Sequence, residues 1–188
     1  MADELDAAVR ALAAGQLVVY PTDTLLGLGA RADDPRAVDR LLSAKDRPSG
    51  MPVSIAVSSM EELEELVDWD RPERGIARRL LPGPVTLIVR ASVRARRTLA
   101  APIVAPDGSV GIRIPDHAAA RDLARRAGPI TATSANRHGL PPCRTVAAAR
   151  QSFGDRVAVY VRAGPPPPGR ASMLVDLRGS SPRFVPRP

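Results

Sequence analysis

The chain has 188 residues, and 44% of them are hydrophobic, which supports a globular core and excludes a disordered polypeptide. Aromatic residues make up only 3%, too few for the rows of stacking side chains that bind single-stranded nucleic acid. The net charge of +7 favours phosphate-bearing partners, although the arginines are scattered along the chain instead of forming one basic tail.

Cys143 is the sole cysteine, which excludes an internal disulfide and a cysteine-rich metal site. The N-terminus is acidic and lacks the positive region of a signal peptide. No run of about 18 apolar residues occurs, so we expect no membrane span and a cytoplasmic protein.

Predicted helices and strands alternate irregularly along the chain. The residues predicted to cap helices are Asp3, Asp34, Ser59, Asp116 and Thr145. Another helix is predicted over 72–80 and a loop over 90–108. Apolar runs predict strands at 17–20, 53–57, 85–89, 110–114, 130–133, 157–161 and 173–177. This pattern predicts one domain, residues 1–188, of α/β (α+β-like) class, with helices on a mixed parallel and antiparallel sheet.

The loop after the second predicted helix contains Lys45, the only lysine of a chain whose 27 basic residues include 26 arginines. Arg47 follows two residues later. A lysine ammonium is a compact point charge and an arginine guanidinium is a planar fork, so the two can bind different oxygens of one polyanion. The competing interpretation is a solvent-exposed turn, in which both charges would contribute little to stability.

Common nucleotide-binding and catalytic motifs do not fit the sequence. The phosphate loop G-x-x-x-x-G-K-[ST] is absent. Residues 27–32 match the dinucleotide pattern loosely, but Pro21 separates them from the preceding strand. His117 and His138 have no partners at metal-ligand spacing, and a Ser134–His138 nucleophile pair has no evident third member.

Several polar side chains instead lie where predicted strands begin or end. They are Thr22, Asp23, Thr24, Lys45, Arg47, Arg113, Ser134, Asn136 and Ser172. Taken singly, each also fits a structural role as a turn former, a cap or a solvent-facing strand residue. Together they predict a ligand-binding cleft at the strand ends.

Five motifs occur in order along the chain: YPTDTLLGLG at 20–29, KDRP at 45–48, LPGPVT at 81–86, GIRIPDH at 111–117 and TSAN at 133–136. In these motifs the chain resembles the YrdC-type threonylcarbamoyl-adenylate synthases, over roughly residues 5–187. The resemblance is to the short form of the family, without the extra C-terminal domain.

The resemblance implies a twisted mixed sheet with a deep basic cavity and an enzyme of the nucleotidyltransferase type. The implied reaction condenses L-threonine, bicarbonate or CO2, and ATP into threonylcarbamoyl-AMP and pyrophosphate, for the tRNA modification N6-threonylcarbamoyladenosine. Mg2+ is expected to arrive with ATP, without a protein metal site. The implied partners are these substrates, tRNA or double-stranded RNA on the basic surface, and downstream threonylcarbamoyl-transferase proteins.

The resemblance also implies roles for individual residues. Lys45 and Arg47 would hold the ATP phosphates and be the catalytic residues. The further nucleotide contacts would be Ser109, Ser134, Asn136 and Arg187. The threonine site would comprise Thr24, Arg113 and Ser172, with Arg113 pairing with the substrate carboxylate.

The chain departs from the family pattern at positions that bear on the shape of the threonine pocket: Leu26, Met51, Ala56, Pro142 and Met173. Two alternatives to the synthase stay open. One is an RNA-binding protein of the same fold without synthase activity. The other is a paralogue that acts on a different carbamoyl or adenylyl substrate.

Overall fold

The computed structural model describes residues 2–48 and 50–186. The helices are α1 Ala2–Ala13, α2 Pro35–Ala44, α3 Met60–Leu66, α4 Arg71–Leu80, α5 Val93–Thr98, α6 Ala118–Ala127 and α7 Val146–Phe153, followed by a 3-10 turn at Gly154–Arg156. The strands are β1 Val18–Tyr20, β2 Gly27–Gly29, β3 Ile55–Ala56, β4 Val67–Asp68, β5 Val85–Ala91, β6 Ser109–Arg113, β7 Ile130–Thr131, β8 Thr133–Ser134, β9 Val159–Tyr160, β10 Met173–Asp176 and β11 Arg183–Val185. None of the described helices is long and apolar enough to cross a membrane.

The strands form two sheets of mixed direction. One has the order β8-β2-β1-β9, and the other has the order β11-β10-β5-β6-β3-β7, with β4 also paired to β5. The pairs β1–β9, β10–β5 and β3–β6 are parallel and the remaining pairs are antiparallel. The predicted mixed α/β fold is therefore confirmed.

The strand predicted over 130–133 accounts for the division into two sheets. It is interrupted at Ala132, whose N–H donates to the carbonyl of Ser54 (2.7 Å) outside the regular ladder. As a result, β7 pairs with β3 in one sheet and β8 pairs with β2 in the other. A continuous four-residue run of alternating apolar residues and threonines carries no signal for such a change of partner.

Three of the five predicted helix caps are confirmed. Asp34 accepts from the N–H groups of Arg36 and Ala37, and Thr145 accepts from that of Ala148. The Ser59 hydroxyl oxygen accepts from the N–H of Glu62, and the Glu62 carboxylate accepts from the N–H of Ser58. Side-chain oxygens at these positions satisfy donors that the first helical turn leaves free.

Two of the predicted caps are wrong. Helix α1 already begins at Ala2, so Asp3 lies in its first turn, where a carboxylate favours the positive end of the helix dipole. Helix α6 is preceded by His117 rather than Asp116, because the Asp116 carboxylate accepts from Arg121 (3.1 Å).

Helix α5 contradicts the predicted loop over 90–108. Ser92 caps it by accepting from the N–H of Ala95 (3.1 Å), and Ala95 is its buried residue. The helix is short and rich in arginine, so a single buried contact leaves no apolar periodicity to detect.

Tyr20 joins the two sheets and explains the glycines of β2. Its ring crosses the paired strand so closely that a Cβ on Gly27 would lie 2.8 Å from it. The Tyr20 hydroxyl donates to the carbonyl of Thr131 (2.9 Å) on β7. Because Tyr20 is buried at the end of β1, these contacts determine where the polar loop that follows leaves the sheet.

Two clusters of Ala, Val, Leu and Ile build the core. The smaller one lies between helices α1 and α6 and the strands β1, β3 and β7, and includes Leu12, Leu123 and Ile130. The larger one covers the remaining sheet faces and packs α2 through Val38 and Leu41. Burial of α2 against this cluster holds the Lys45 loop at the sheet edge.

Candidate active site

The end of helix α2 positions Lys45. The N–H of Arg47 donates to the carbonyl of Leu42 (3.0 Å), and Asp46 adopts the left-handed conformation with φ 51°. This is the way helices commonly end, although glycine usually occupies the left-handed position. The reversal sends the chain away from the helix axis directly after Lys45.

The Lys45 ammonium is enclosed by backbone carbonyls. Its Nζ donates to the carbonyls of Ser134 (2.5 Å) and Asn136 (2.6 Å), and the residue is 3% exposed. Burial, reinforced by the nearby charge of Arg47, lowers the pKa of Lys45 to about 8. The interpretation of Lys45 as an exposed turn residue is therefore wrong.

Ser134 and Asn136 fold the loop that receives Lys45. The Ser134 hydroxyl donates to Oδ1 of Asn136 (2.5 Å), and Nδ2 of Asn136 donates to the carbonyls of Arg137 (2.9 Å) and Leu140 (2.7 Å). Their side chains therefore hold the 134–140 loop, while their carbonyls face the ammonium. The sequence pointed to these residues without indicating that their backbone atoms make the contact.

Two further contacts hold the 134–140 loop against the end of α2. The N–H of His138 donates to the carbonyl of Lys45 (2.6 Å). Arg137 pairs with Asp46 (2.5 Å) at the surface. The structure thus confirms that the KDRP and TSAN motifs lie together.

Arg47 is half-buried beside Lys45. Its Nη2 donates to the carbonyl of Pro52 (2.7 Å), whereas its buried Nε has no hydrogen-bond partner among the described residues. Burial lowers the pKa of Arg47. Neither cation of this pair contacts a carboxylate within the described chain, so their positive charge is not cancelled locally.

A second group of predicted residues surrounds Arg113 at the end of β6. Arg113 is 5% exposed, and its Nη1 donates to Oγ1 of Thr24 (2.9 Å). Its Nη2 donates to Oδ1 of Asp23 (2.6 Å) and to the carbonyl of Gly83 (3.2 Å). The motifs YPTDT, LPGPVT and GIRIPDH thus meet around one guanidinium.

Ser172, the residue before β10, lies in the same region as Arg113. Its hydroxyl is 2.8 Å from that of Thr86 on β5. Thr86 precedes Leu87, which pairs with Ile112 next to Arg113. The N–H of Gly169 also donates to the carbonyl of Thr24 (3.0 Å), which brings the segment before Ser172 to this group.

Ser109 lies apart from the Arg113 group. It begins β6 opposite Arg90, and four residues of extended strand, about 13 Å, separate it from Arg113. Its hydroxyl donates to Asp107 (2.6 Å). The predicted nucleotide contact at Arg187 lies outside the described residues.

Asp23 is the site residue that the sequence interpretation undervalued. It is one of the polar residues at the predicted strand ends, but the motifs assign it no role, whereas it is the ion-pair partner of Arg113. The available signal was its position between two threonines directly after a buried strand. Among the departures from the family pattern, Leu26 and Ala56 are buried, whereas Pro142 and Met173 are exposed.

These features define a class: an α/β protein whose strand ends carry one cationic pair and one buried arginine–aspartate pair. The cationic pair has no carboxylate partner in the part of the chain that the structure describes. The sequence matches the Sua5_yciO_yrdC family, described as "Telomere recombination", over residues 10–187. The chain belongs to this family, as its resemblance predicted.

Relatives and solved structures agree with this assignment. A Mycobacterium tuberculosis H37Rv protein provisionally named a threonylcarbamoyl-AMP synthase is 44% identical over 180 residues, 95% of this chain and 81% of that protein. The threonylcarbamoyl-AMP synthase of Chromohalobacter salexigens is 36% identical over 84% of each chain. The crystal structure of Pyrococcus abyssi Sua5 complexed with L-threonine has a TM-score of 0.87 and 32% identity, covering 96% of this chain and 52% of that one. The chain therefore spans about half the length of that Sua5.

Proposed function

We propose that this chain condenses L-threonine, bicarbonate or CO2, and ATP into threonylcarbamoyl-AMP and pyrophosphate. The similarity to relatives that carry the synthase name supports this proposal. The observation that carries it is the meeting of YPTDT, LPGPVT and GIRIPDH around buried Arg113, with KDRP and TSAN meeting separately around Lys45. Two sites of different charge suit a reaction that joins an amino acid to a nucleotide.

The proposed chemistry needs no covalent nucleophile on the protein. The threonine amine attacks CO2 to form a carbamate and releases a proton. A carbamate oxygen then attacks the α-phosphorus of ATP, and pyrophosphate leaves. The protein contributes by positioning the reactants and by stabilising negative charge on the phosphates.

Lys45 and Arg47 are proposed to bind the triphosphate. Both are partly or fully buried cations that contact no carboxylate of residues 2–48 and 50–186, and a polyanion would supply the missing negative charge. Mg2+ enters as part of the ATP substrate and neutralises further phosphate charge. In the described residues, no cluster of three or more His, Cys, Asp or Glu side chains could hold a metal ion.

Thr24, Arg113 and Ser172 are proposed to bind threonine, with the Arg113 guanidinium toward the substrate carboxylate. Arginine suits this role because its planar N–H groups match a carboxylate. Nucleotide contacts by Ser109, Ser134, Asn136 and Arg187 stay predictions. The family resemblance supports three further proposals. The protein acts in the cytoplasm, it binds tRNA or double-stranded RNA, and its product passes to a downstream threonylcarbamoyl-transferase.

Incubating the purified protein with ATP, bicarbonate, Mg2+ and each amino acid in turn tests the proposed function. We expect pyrophosphate release that depends on threonine and on bicarbonate. No threonine-dependent release would contradict the proposal. Release with a different amino acid would favour a paralogue, and RNA affinity that falls steeply with salt in the absence of turnover would favour an RNA-binding protein.

A further inference from the structure

The Arg113–Asp23 ion pair is buried but incompletely paired. Oδ1 of Asp23 accepts from Nη2 of Arg113 (2.6 Å), and the two side chains are 11% and 6% exposed. Oδ2 of Asp23 and Nε of Arg113 are both buried and have no hydrogen-bond partner among the described residues. Since buried polar atoms are nearly always paired, one lone acceptor and one lone donor in the same ion pair point to a ligand.

The charges of the pair restrict what that ligand can be. Asp23 and Arg113 cancel each other, so the pair suits a ligand that is neutral as a whole. The unpaired donor calls for an anionic or polar acceptor, and the unpaired carboxylate oxygen calls for a donor. An isolated phosphate would be repelled by Asp23, and an isolated metal cation would be repelled by Arg113. The zwitterionic head group of an α-amino acid supplies both complements on adjacent atoms.

We propose that Oδ2 of Asp23 binds the α-ammonium group of the amino-acid substrate while Arg113 binds its carboxylate. This inference rests on the proposed function and extends it, because it assigns a substrate contact to Asp23. The proposal explains why an arginine that must receive a carboxylate lies beside a carboxylate of the protein. The ion pair keeps Arg113 buried when the substrate is absent, and the substrate completes the hydrogen bonds of both partners.

The rest of the site is compatible with this orientation. Oγ1 of Thr24 already accepts from Nη1 of Arg113, and the carbonyl of Gly83 accepts from Nη2. The guanidinium is therefore held by three groups, and its Nε remains to be paired. Thr22 Oγ1 lies 2.9 Å from Thr24 Oγ1 and donates to the carbonyl of Leu25 (2.7 Å), which stiffens the loop that carries Asp23.

Binding measurements with two ligands test the proposal. L-Threonine is compared by calorimetry with its α-hydroxy analogue, 2,3-dihydroxybutanoate of matching configuration, in which a neutral hydroxyl group replaces the ammonium group. The wild-type chain should bind L-threonine about 10- to 150-fold more tightly, the range expected for hydrogen bonds to charged groups. Asp23→Asn should lose most of this preference and bind the hydroxy acid as well as the wild type or better.

Asparagine is the informative replacement because it preserves the size of the side chain and an oxygen that can accept from Arg113. Asp33→Asn is the matched control, since Asp33 forms an ion pair with Arg31 (2.5 Å) in which both side chains are about one-third exposed. This control should bind both ligands as the wild type does. Equal weakening of both ligands by Asp23→Asn would overturn the proposal, because the loss would then reflect a disturbed Arg113.

The two-ligand comparison on the wild type keeps the proposal falsifiable if Asp23→Asn does not fold. Equal affinity for threonine and its hydroxy analogue would overturn it. Failure of the proposed function can be told apart from failure of the Asp23 assignment. If threonine neither binds nor causes pyrophosphate release from ATP, the other L-amino acids are compared with their hydroxy analogues. An ammonium-dependent preference for one of them would support the role of Asp23, and no preference for any would overturn it.

Discussion

Lys45 and Arg113 are both buried cations, but their hydrogen-bond acceptors differ in charge. Lys45 donates to two neutral carbonyls, at 2.5 and 2.6 Å. Arg113 donates to the carboxylate of Asp23 at 2.6 Å. Carbonyl dipoles satisfy hydrogen-bonding capacity without supplying a compensating charge, whereas the carboxylate cancels the charge of Arg113.

This difference matches the two ligands of the proposed reaction. The region around Lys45 keeps a net positive charge, which suits a triphosphate. The region around Arg113 is neutral as a whole, which suits a zwitterion. Burial strengthens both effects because charges interact more strongly away from water. Three measurements test whether the two regions differ in this way.

The largest expected effect is on stability, from Arg113→Met. This change leaves the carboxylate of Asp23 buried without its cation and should lower the free energy of unfolding by about 3–5 kcal/mol. Lys45→Met should cost less, because it leaves only neutral carbonyls without a donor and removes a charge that burial disfavours. Urea denaturation of both variants measures the difference.

The double variant Arg113→Met with Asp23→Leu provides the control for this prediction. Replacing a buried ion pair by apolar residues of similar volume is often close to neutral, so most of the stability should return. If the double variant is as unstable as Arg113→Met alone, the loss comes from packing, and the contrast between the two cations is wrong.

The next effect is on turnover, from Lys45→Ala. Loss of a preorganised charge at the phosphates should reduce kcat for pyrophosphate release by about 10²- to 10³-fold. Arg47→Ala should act in the same direction. The matched control is Arg94→Ala on α5, because the Arg94 side chain is 65% exposed and pairs with Glu65 at the surface. Near-normal rates for both site variants would contradict the assignment of the triphosphate to this region.

Much of the site could be predicted because its chemistry lies in short local motifs. A lone lysine in an arginine-rich chain, a polar loop after a buried strand and an arginine before a proline are all visible in the sequence. Their meeting in space followed from strand ends that share sheet edges. The caps at Asp34, Ser59 and Thr145 were predictable for the same reason, since capping depends on neighbouring residues.

What could not be predicted depends on contacts between distant residues. The break at Ala132 exists because Ser54, far away in the chain, accepts its N–H. The burial of Lys45 depends on carbonyls of a loop about 90 residues later, and no side-chain pattern encodes a backbone contact. The pairing of Asp23 with Arg113 likewise arises from the fold.

The smallest expected effect is the pH dependence of MgATP binding, which follows from the lowered pKa of Lys45, about 8. Below this pH the ammonium is charged and affinity should be constant. Above this pH, Lys45 of the free protein loses its proton, whereas bound phosphates favour the charged ammonium. The affinity for MgATP should therefore fall by up to about tenfold per pH unit. Calorimetric titrations with MgATP between pH 7 and about pH 9.5 measure this slope.

Lys45→Arg distinguishes Lys45 from other groups that titrate in this range. An arginine stays protonated throughout, so the variant should show a flat profile even if its wider side chain weakens binding at every pH. Cys143 needs a separate control because its thiol interacts electrostatically with Lys45 and burial raises its pKa. Cys143→Ser should therefore retain the wild-type slope. If the affinity of Lys45→Arg for MgATP falls with rising pH as that of the wild type does, the Lys45 ammonium does not bind the phosphates. Lys45 would then serve to hold the 134–140 loop through its carbonyls, and the proposed contrast between a phosphate-binding Lys45 and a zwitterion-binding Arg113 would be wrong.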